Sequence, residues 1–187
     1  MRILAISGSL RRGSMNTALL RAATELAPAG VEVERYERLA LVPPYDADAD
    51  GPAPPPEAAA LRRAITGADA LLIATPEYNA SLPGQLKTAL DWASRPFRES
   101  ALWGKNVAVI GASSGASGTI FAQQDLRRVL GRAGARVVDE ELAVPHAQAH
   151  LSPDGRLEDE VLRTRLAQVL VALADAVEAD RAAAAAA

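Results

Sequence analysis

Three stretches of the chain are almost wholly apolar: 2–7 (RILAIS), 69–75 (DALLIAT) and 106–112 (NVAVIGA). A strand that shows neither face to water needs no alternation, so such runs predict strands covered by helices on both sides, as in a parallel sheet. Two further stretches, 31–37 (VEVERYE) and 136–142 (RVVDEEL), set apolar residues against charged ones and suit the edges of that sheet. Five segments with helical spacing follow the strands in turn, at about 16–27, 56–66, 83–94, 119–133 and 158–180. Ser14 or Asn16 can cap the first, and Pro83 suits the opening turn of the third. In the last, Val161, Leu162, Leu166, Val169, Leu170, Leu173 and Val177 share one face. Strict alternation of strand and helix predicts an α/β fold with a doubly wound parallel sheet of five strands and helices on both faces.

Two segments stand outside this pattern. Val42 to Pro56 (VPPYDADADGPAPPP) holds six of the twelve prolines and can be neither helix nor central strand. It reads as a long surface loop closing the second βα unit. Residues 182–187 are all alanine, which reads as a helix tail, a disordered end or a cloning remnant, with no function assigned. The remainder, 1–181, is expected to be a single domain.

Composition narrows the function classes. With 49% apolar and 23% charged residues the chain has the make-up of a globular protein. A net charge of -3 supplies no basic excess for nucleic acid or an acidic membrane. The absence of cysteine excludes disulfide scaffolds, thiolate metal sites and cysteine nucleophiles. No apolar run approaches the roughly 18 residues of a membrane span, and Ser7-Gly8-Ser9 breaks the first one too early for a signal peptide. The expected location is the cytoplasm.

The candidate chemistry lies in the loops that leave the strands. In a doubly wound sheet ligands sit at the carboxyl ends of the strands where the strand order reverses, and in the order 2-1-3-4-5 the first and third strands flank that point. The first loop, SGSLRRGSMNT (7–17), opens a helix whose N-terminal N–H groups and partial positive charge attract anions. Gly8 and Gly13 let its backbone curl, Ser9, Ser14, Asn16 and Thr17 add donors, and Arg11 and Arg12 add forks suited to phosphate oxygens. Gly8 and Gly13 have the spacing of a nucleotide-triphosphate loop, but Ser14-Met15 stands where Lys followed by Ser or Thr is required. The dinucleotide fingerprint G-x-G-x-x-G is absent. A loop rich in neutral donors suits a terminal monophosphate ester. The third strand leaves through Pro76-Glu77-Tyr78-Asn79, with backbone groups at 77–79 available to the edge of a planar heterocycle. The fourth leaves through a run of small residues, 111–119 (GASSGASGT), which lets a flat ring lie on the backbone.

In order and spacing over about residues 1–145, the stretches GSLRRGSMNTALLRAA, TPEYNASLPGQLKTALDW and GASSGASG resemble the NADPH-dependent FMN reductase family. This is a flavodoxin-like group that includes quinone, chromate and azo-dye reductases. The resemblance implies that Ser9, Arg11, Ser14, Asn16 and Thr17 hold the FMN phosphate. It implies that Pro76, Glu77, Tyr78 and Asn79 hold the ring and ribityl groups, and that Ser113, Ser114 and Gly115 touch the ring. Gln85 and Thr88, where a small residue and Asn are expected, depart from the family pattern, as does Arg12 in place of a lysine.

The implied activity is hydride transfer from NADPH (or NADH) to flavin N5, then delivery of two electrons to a small acceptor such as a quinone, flavin, azo dye or metal oxyanion. The flavin carries the chemistry, so no catalytic acid or base is expected, and no metal. Family members form homodimers or homotetramers, and Trp92, Phe97 and Trp103 are the residues that suggest such a contact here. The competing classes are a flavodoxin-type electron carrier and a flavin-binding sensory module. A carrier shields its flavin between aromatic rings, and only Tyr78 falls in the proposed crevice. His146 and His150, four apart, read as surface or subunit-contact residues, and the Asp46, Asp48, Asp50 run as a solvated loop.

Overall fold

The computed structural model describes residues 1–186. Five strands, β1 (Arg2–Ser7), β2 (Glu32–Arg35), β3 (Ala70–Ala74), β4 (Asn106–Ala112) and β5 (Arg136–Val144), form one parallel sheet in the order β2-β1-β3-β4-β5. Five helices connect and follow them: α1 (Met15–Glu25), α2 (Pro56–Thr66), α3 (Gly84–Ala93), α4 (Ile120–Arg132) and α5 (Glu160–Ala185). The order is the flavodoxin-like one expected. α5 continues through Ala182–Ala185, so most of the terminal alanine run is helix, while Ala187 lies outside the described residues.

The apolar runs are buried for the expected reason. Every residue of β3 and β4 is buried, because helices cover both faces of the sheet. Side chains alternate between the two faces. Ile3, Ala5, Leu72, Ala108 and Ile110 pack against Leu19, Leu20, Leu166 and Leu170 of α1 and α5. Leu4, Ile6, Leu71, Ile73, Val107 and Val109 pack against Leu61, Ile65, Leu86, Leu90, Leu126 and Leu130 of α2, α3 and α4.

β2 is shorter than its apolar pattern, although the Tyr36 N–H still reaches the Ala5 carbonyl at 2.8 Å. β5 runs two residues beyond the expected end, and an irregularity between Val107 and Val109 shifts its register. The α1 cap is Ser14, whose Oγ accepts the Thr17 N–H at 3.2 Å. Asp159 caps α5 by accepting the N–H groups of Val161 and Leu162 at 3.0 Å each, and His150 Nδ1 lies 2.9 Å from its other oxygen.

The proline-rich loop is strapped to α3. Gln85 Nε2 donates to the carbonyls of Leu39 and Val42 at 2.7 and 2.8 Å, and Thr88 Oγ1 accepts the Tyr45 N–H at 2.6 Å. The two departures from the family pattern thus hold this loop down. Trp92 is fully buried beneath it, donates Nε1–H to the Pro43 carbonyl at 2.9 Å and meets the Tyr45 ring edge-on at 4.9 Å. It is therefore separate from the exposed edge-to-face pair of Phe97 and Trp103, centroids 5.3 Å apart, with which the sequence reading grouped it. Asp50 of the acidic run pairs with Arg62 at 2.7 Å.

One glycine decides how closely β4 and its neighbours approach. A Cβ on Gly111 would lie 1.9 Å from Thr119 Oγ1 and 2.6 Å from the Thr75 carbonyl oxygen. The second contact is backbone in the adjacent strand's exit and cannot swing aside. Gly111→Ala is therefore expected to destabilise the fold by about 1–3 kcal/mol, the usual cost of overpacking, read as a lower urea midpoint. An unchanged midpoint would contradict the packing described.

Candidate ligand crevice at the carboxyl ends of the strands

The loops leaving β1, β3 and β4 meet over the carboxyl edge of the sheet and enclose a crevice of about 300 Å³. Gly8 lets the first two meet: a Cβ there would stand 3.0 Å from Leu86 Cδ2 and 3.2 Å from Pro76 Cδ. Of the candidate residues, Ser9, Arg11, Ser14, Asn16, Pro76, Glu77, Tyr78, Ser113 and Ser114 line the crevice. Thr17, Asn79 and Gly115 do not.

The β1–α1 loop is built to leave its donors free. Among the described residues, no acceptor takes the backbone N–H groups of residues 10–16. The loop is held instead from Ser7, a residue the sequence reading passed over. Ser7 Oγ accepts the Ser9 N–H at 3.3 Å and the Thr17 hydroxyl at 3.0 Å. A row of unpaired N–H groups running into a helix N-terminus, with the Arg11 guanidinium alongside, is chemically a phosphate cradle.

Asn16 has another task. Its Nδ2 donates to the Ala112 carbonyl at 2.9 Å and its Oδ1 accepts the Ala112 N–H at 3.0 Å, with the residue only 3% exposed. The side chain read from sequence as a phosphate donor thus bolts the start of α1 to the end of β4. Its backbone N–H remains free for an anion.

Glu77 also answers to the fold. α4 begins after Thr119, which has a left-handed backbone (φ 74°) and offers no side-chain cap. Glu77 reaches across from the β3–α3 loop to supply one. Its Oε2 accepts the N–H groups of Phe121 and Ala122 at 3.0 and 3.1 Å, and its Oε1 accepts the Ser117 hydroxyl at 3.1 Å. The negative charge sits where the helix dipole favours it, and the β3 and β4 loops are tied together.

Residues 78–81 form a tight turn with Asn79 and Ala80 both left-handed (φ 52° and 60°). The Tyr78 N–H donates to the Ser81 carbonyl at 3.0 Å and the Ser81 N–H to the Tyr78 carbonyl at 3.1 Å. This corrects the expectation that the backbone of 77–79 is wholly available: Tyr78's groups are paired, while the N–H groups of Glu77 and Asn79 have no acceptor among the described residues. The turn is anchored by the Ser81 hydroxyl, which donates to Asp125 Oδ2 on α4 at 2.5 Å. That bond, with the Arg128 ion pair, holds the Asp125 carboxyl below the usual carboxylate range. The Tyr78 ring stands exposed at the crevice mouth.

The β4–α4 loop is braced from behind by the chain leaving β5. Ala147 N–H donates to the Ser113 carbonyl at 2.9 Å and His146 N–H to the Gly115 carbonyl at 3.1 Å. His146 thus supports the loop through its backbone. The N–H groups of Ser114, Gly115 and Ala116 have no acceptor among the described residues.

The sequence profile of the NADPH-dependent FMN reductase family matches residues 1–149. Among curated proteins, the NAD(P)H-dependent FMN reductase of Pseudomonas aeruginosa is 42% identical over 174 residues, 92% of this chain and 93% of that protein. The 2-hydroxy-1,4-benzoquinone reductase of a Burkholderia species is 40% identical, over 89% of this chain and 90% of that protein. Among solved structures, the NAD(P)H:acceptor flavoenzyme of Paracoccus denitrificans superposes with a TM-score of 0.84 at 33% identity, over 95% of this chain and 97% of that one.

Asn16→Ala would leave the N–H and carbonyl of Ala112 buried without partners, at a cost of about 1–3 kcal/mol. Its urea midpoint should fall accordingly; a variant as stable as the parent would contradict the bolt.

Proposed function

The chain belongs to the NADPH-dependent FMN reductase family, and on that premise we propose that the crevice at the carboxyl ends of β1, β3 and β4 is its FMN site. The protein is a flavin-dependent NAD(P)H oxidoreductase. The observation that carries the site assignment is the run of unpaired N–H groups at residues 10–16, of which Arg11, Ser14, Met15 and Asn16 line a crevice large enough for a flat ring.

The residues present fit the cofactor. The amides of 10–16, Arg11 and the hydroxyls of Ser9 and Ser14 would hold the phosphate dianion, while the Thr17 hydroxyl is spent on Ser7. The free N–H groups of Glu77 and Ser114 would meet the polar edge of the ring, and Pro76 fixes the loop that presents the first of them. When bound, FMN supplies hydride acceptance from NAD(P)H at N5 and two-electron delivery to a second substrate. The chain's part is to hold and orient. Among the described residues, the ionisable side chains lining the crevice are Arg11, Glu77 and Tyr78, and the Glu77 carboxylate is committed to α4. The Glu77 carboxylate is thus not free to act as a general base.

We assign the acceptor to the quinones, because the relatives include a 2-hydroxy-1,4-benzoquinone reductase and several quinone reductases. Tyr78 is the one aromatic ring lining the crevice among the described residues, which favours an open site over the sandwiched flavin of a carrier. The reading places the site in one domain spanning 1–181, working in the cytoplasm as a homodimer or homotetramer. The exposed Tyr78 and Phe121 beside the crevice, and the Phe97–Trp103 pair, are the surfaces such an assembly would cover. No helix among the described residues is long and apolar enough to cross a membrane.

Anaerobic titration of the FMN-loaded protein with NADPH should bleach the flavin absorbance, and 1,4-benzoquinone should restore it. A flavin that stays oxidised would contradict the reductase reading, and one restored by other acceptors but not by quinone would contradict the quinone assignment. Arg11→Ala should weaken FMN binding roughly tenfold, the loss of one charge-assisted contact, with the urea midpoint unchanged. Undiminished FMN affinity in that variant would remove Arg11 from the cradle.

A further inference from the structure

The far side of the β1–α1 loop carries a second concentration of positive charge. Between that loop, α1 and the chain leaving β2 lies a cavity of about 270 Å³ bordered by Arg11, Arg12, Arg21, Arg35 and Glu37. It shares Ser9 and Arg11 with the crevice already described, so the two hollows flank one loop. Four guanidinium groups meet one carboxylate there, and that carboxylate, Glu37, is held by Arg35 at 2.7 Å. Arg11, Arg12 and Arg21 form no ion pair and no side-chain hydrogen bond among the described residues.

Exposed arginines are ordinary when each can turn into water. Elsewhere on this acidic chain, though, many find carboxylates: Arg62 pairs with Asp50, Arg127 with Glu141 and Arg163 with Glu160. Around a concave wall, like charges without counter-charge repel, and an anion that enters relieves them all at once. Planar forks converging from several elements suit a phosphate monoester better than a carboxylate, whose single charge and two oxygens would leave donors unused.

FMN carries one phosphate, and the free amides of residues 10–16 already provide for it. NADPH differs from NADH by one further phosphate monoester, on the 2′ position of its adenine ribose. We propose that the arginine-lined cavity beside β2 receives this 2′-phosphate and makes the enzyme prefer NADPH to NADH. The proposal rests on FMN occupying the adjoining crevice. A dinucleotide with its nicotinamide at that crevice would then cross the β1–α1 loop and bring its adenylate end to Arg12 and Arg21. Arg35 stands at the carboxyl end of β2, on the border of the cavity. Arg35 at that strand's end also neutralises Glu37, the one acid that would repel the ligand.

The test compares the FMN-loaded parent with FMN-loaded Arg12→Ala/Arg21→Ala, both changes being at exposed side chains. Calorimetric titration with adenosine 2′,5′-bisphosphate and with AMP reads the subsite without turnover. The parent should bind the bisphosphate at least roughly tenfold more tightly than AMP, and the variant should lose that difference. In steady-state assays the variant's KM for NADPH should rise about tenfold or more, with KM for NADH and FMN content little changed. Equal affinity of the parent for the two adenylates, or a variant that loses NADPH and NADH alike, would overturn the subsite while leaving the FMN reading intact. A parent that takes up no FMN would overturn the underlying reading, and this one with it.

Discussion

Where the strands of a parallel sheet end, the ladder stops, and every N–H and carbonyl beyond it must find a partner or be left for a ligand. This constraint organises the carboxyl edge of the protein. Side chains from neighbouring loops close some of the gaps: Asn16 takes both polar groups of Ala112, Glu77 takes two amides of α4, and Ser7 takes the Ser9 N–H. What they do not close is the run from residue 10 to residue 16. The unpaired run is tolerable because residues 10–13 are exposed to water, and Ser14, Met15 and Asn16 line the crevice.

The bonds that close the gaps also couple the loops. Asn16 joins the β1–α1 loop to β4, Glu77 joins the β3–α3 loop to α4, and the chain after β5 braces the β4–α4 loop through Ser113 and Gly115. Three loops that would move separately are thereby one frame around the crevice. A cofactor that carries its own reactivity needs such a frame more than it needs catalytic side chains, because placement of the ring is the protein's contribution. Committing Glu77 to a helix cap leaves the crevice without a free carboxylate.

Much of the fold was legible because burial on both faces leaves a distinctive mark. The runs at β1, β3 and β4 name their own places in the sheet, and the polar loops after them mark the ligand edge. Edge elements were read less well. Tyr36 and Glu37 continue the alternation of β2, but the pairing with β1 stops at Ala5 and Arg35 although β1 itself runs on to Ser7. In the crevice, the residue types pointed to the loops that enclose it, while the targets of individual side chains did not follow. Asn16 and Glu77 carry donors and acceptors that suit a cofactor, yet each meets a backbone group brought near by another strand or helix, at 96 and 44 residues' separation for the Ala112 and Phe121 contacts. The turn at 78–81 escaped notice because its left-handed pair is Asn-Ala, without the glycine that usually signals it. Trp92 and Trp103, neighbours in the sequence reading, were separated by the proline-rich loop, which buries the first and leaves the second exposed.

In the proposed site the free amides of the first loop hold the cofactor by its phosphate. The most direct measurement is the affinity of the purified protein for FMN against riboflavin, by quenching of flavin fluorescence at the same ionic strength. The two share the ring and the ribityl chain and differ only in the phosphate. FMN should bind at least roughly a hundredfold more tightly, two or more charge-assisted contacts being lost with riboflavin. Equal affinity for the two would mean that the cradle at residues 10–16 does not hold the phosphate, and the account of the site would fail.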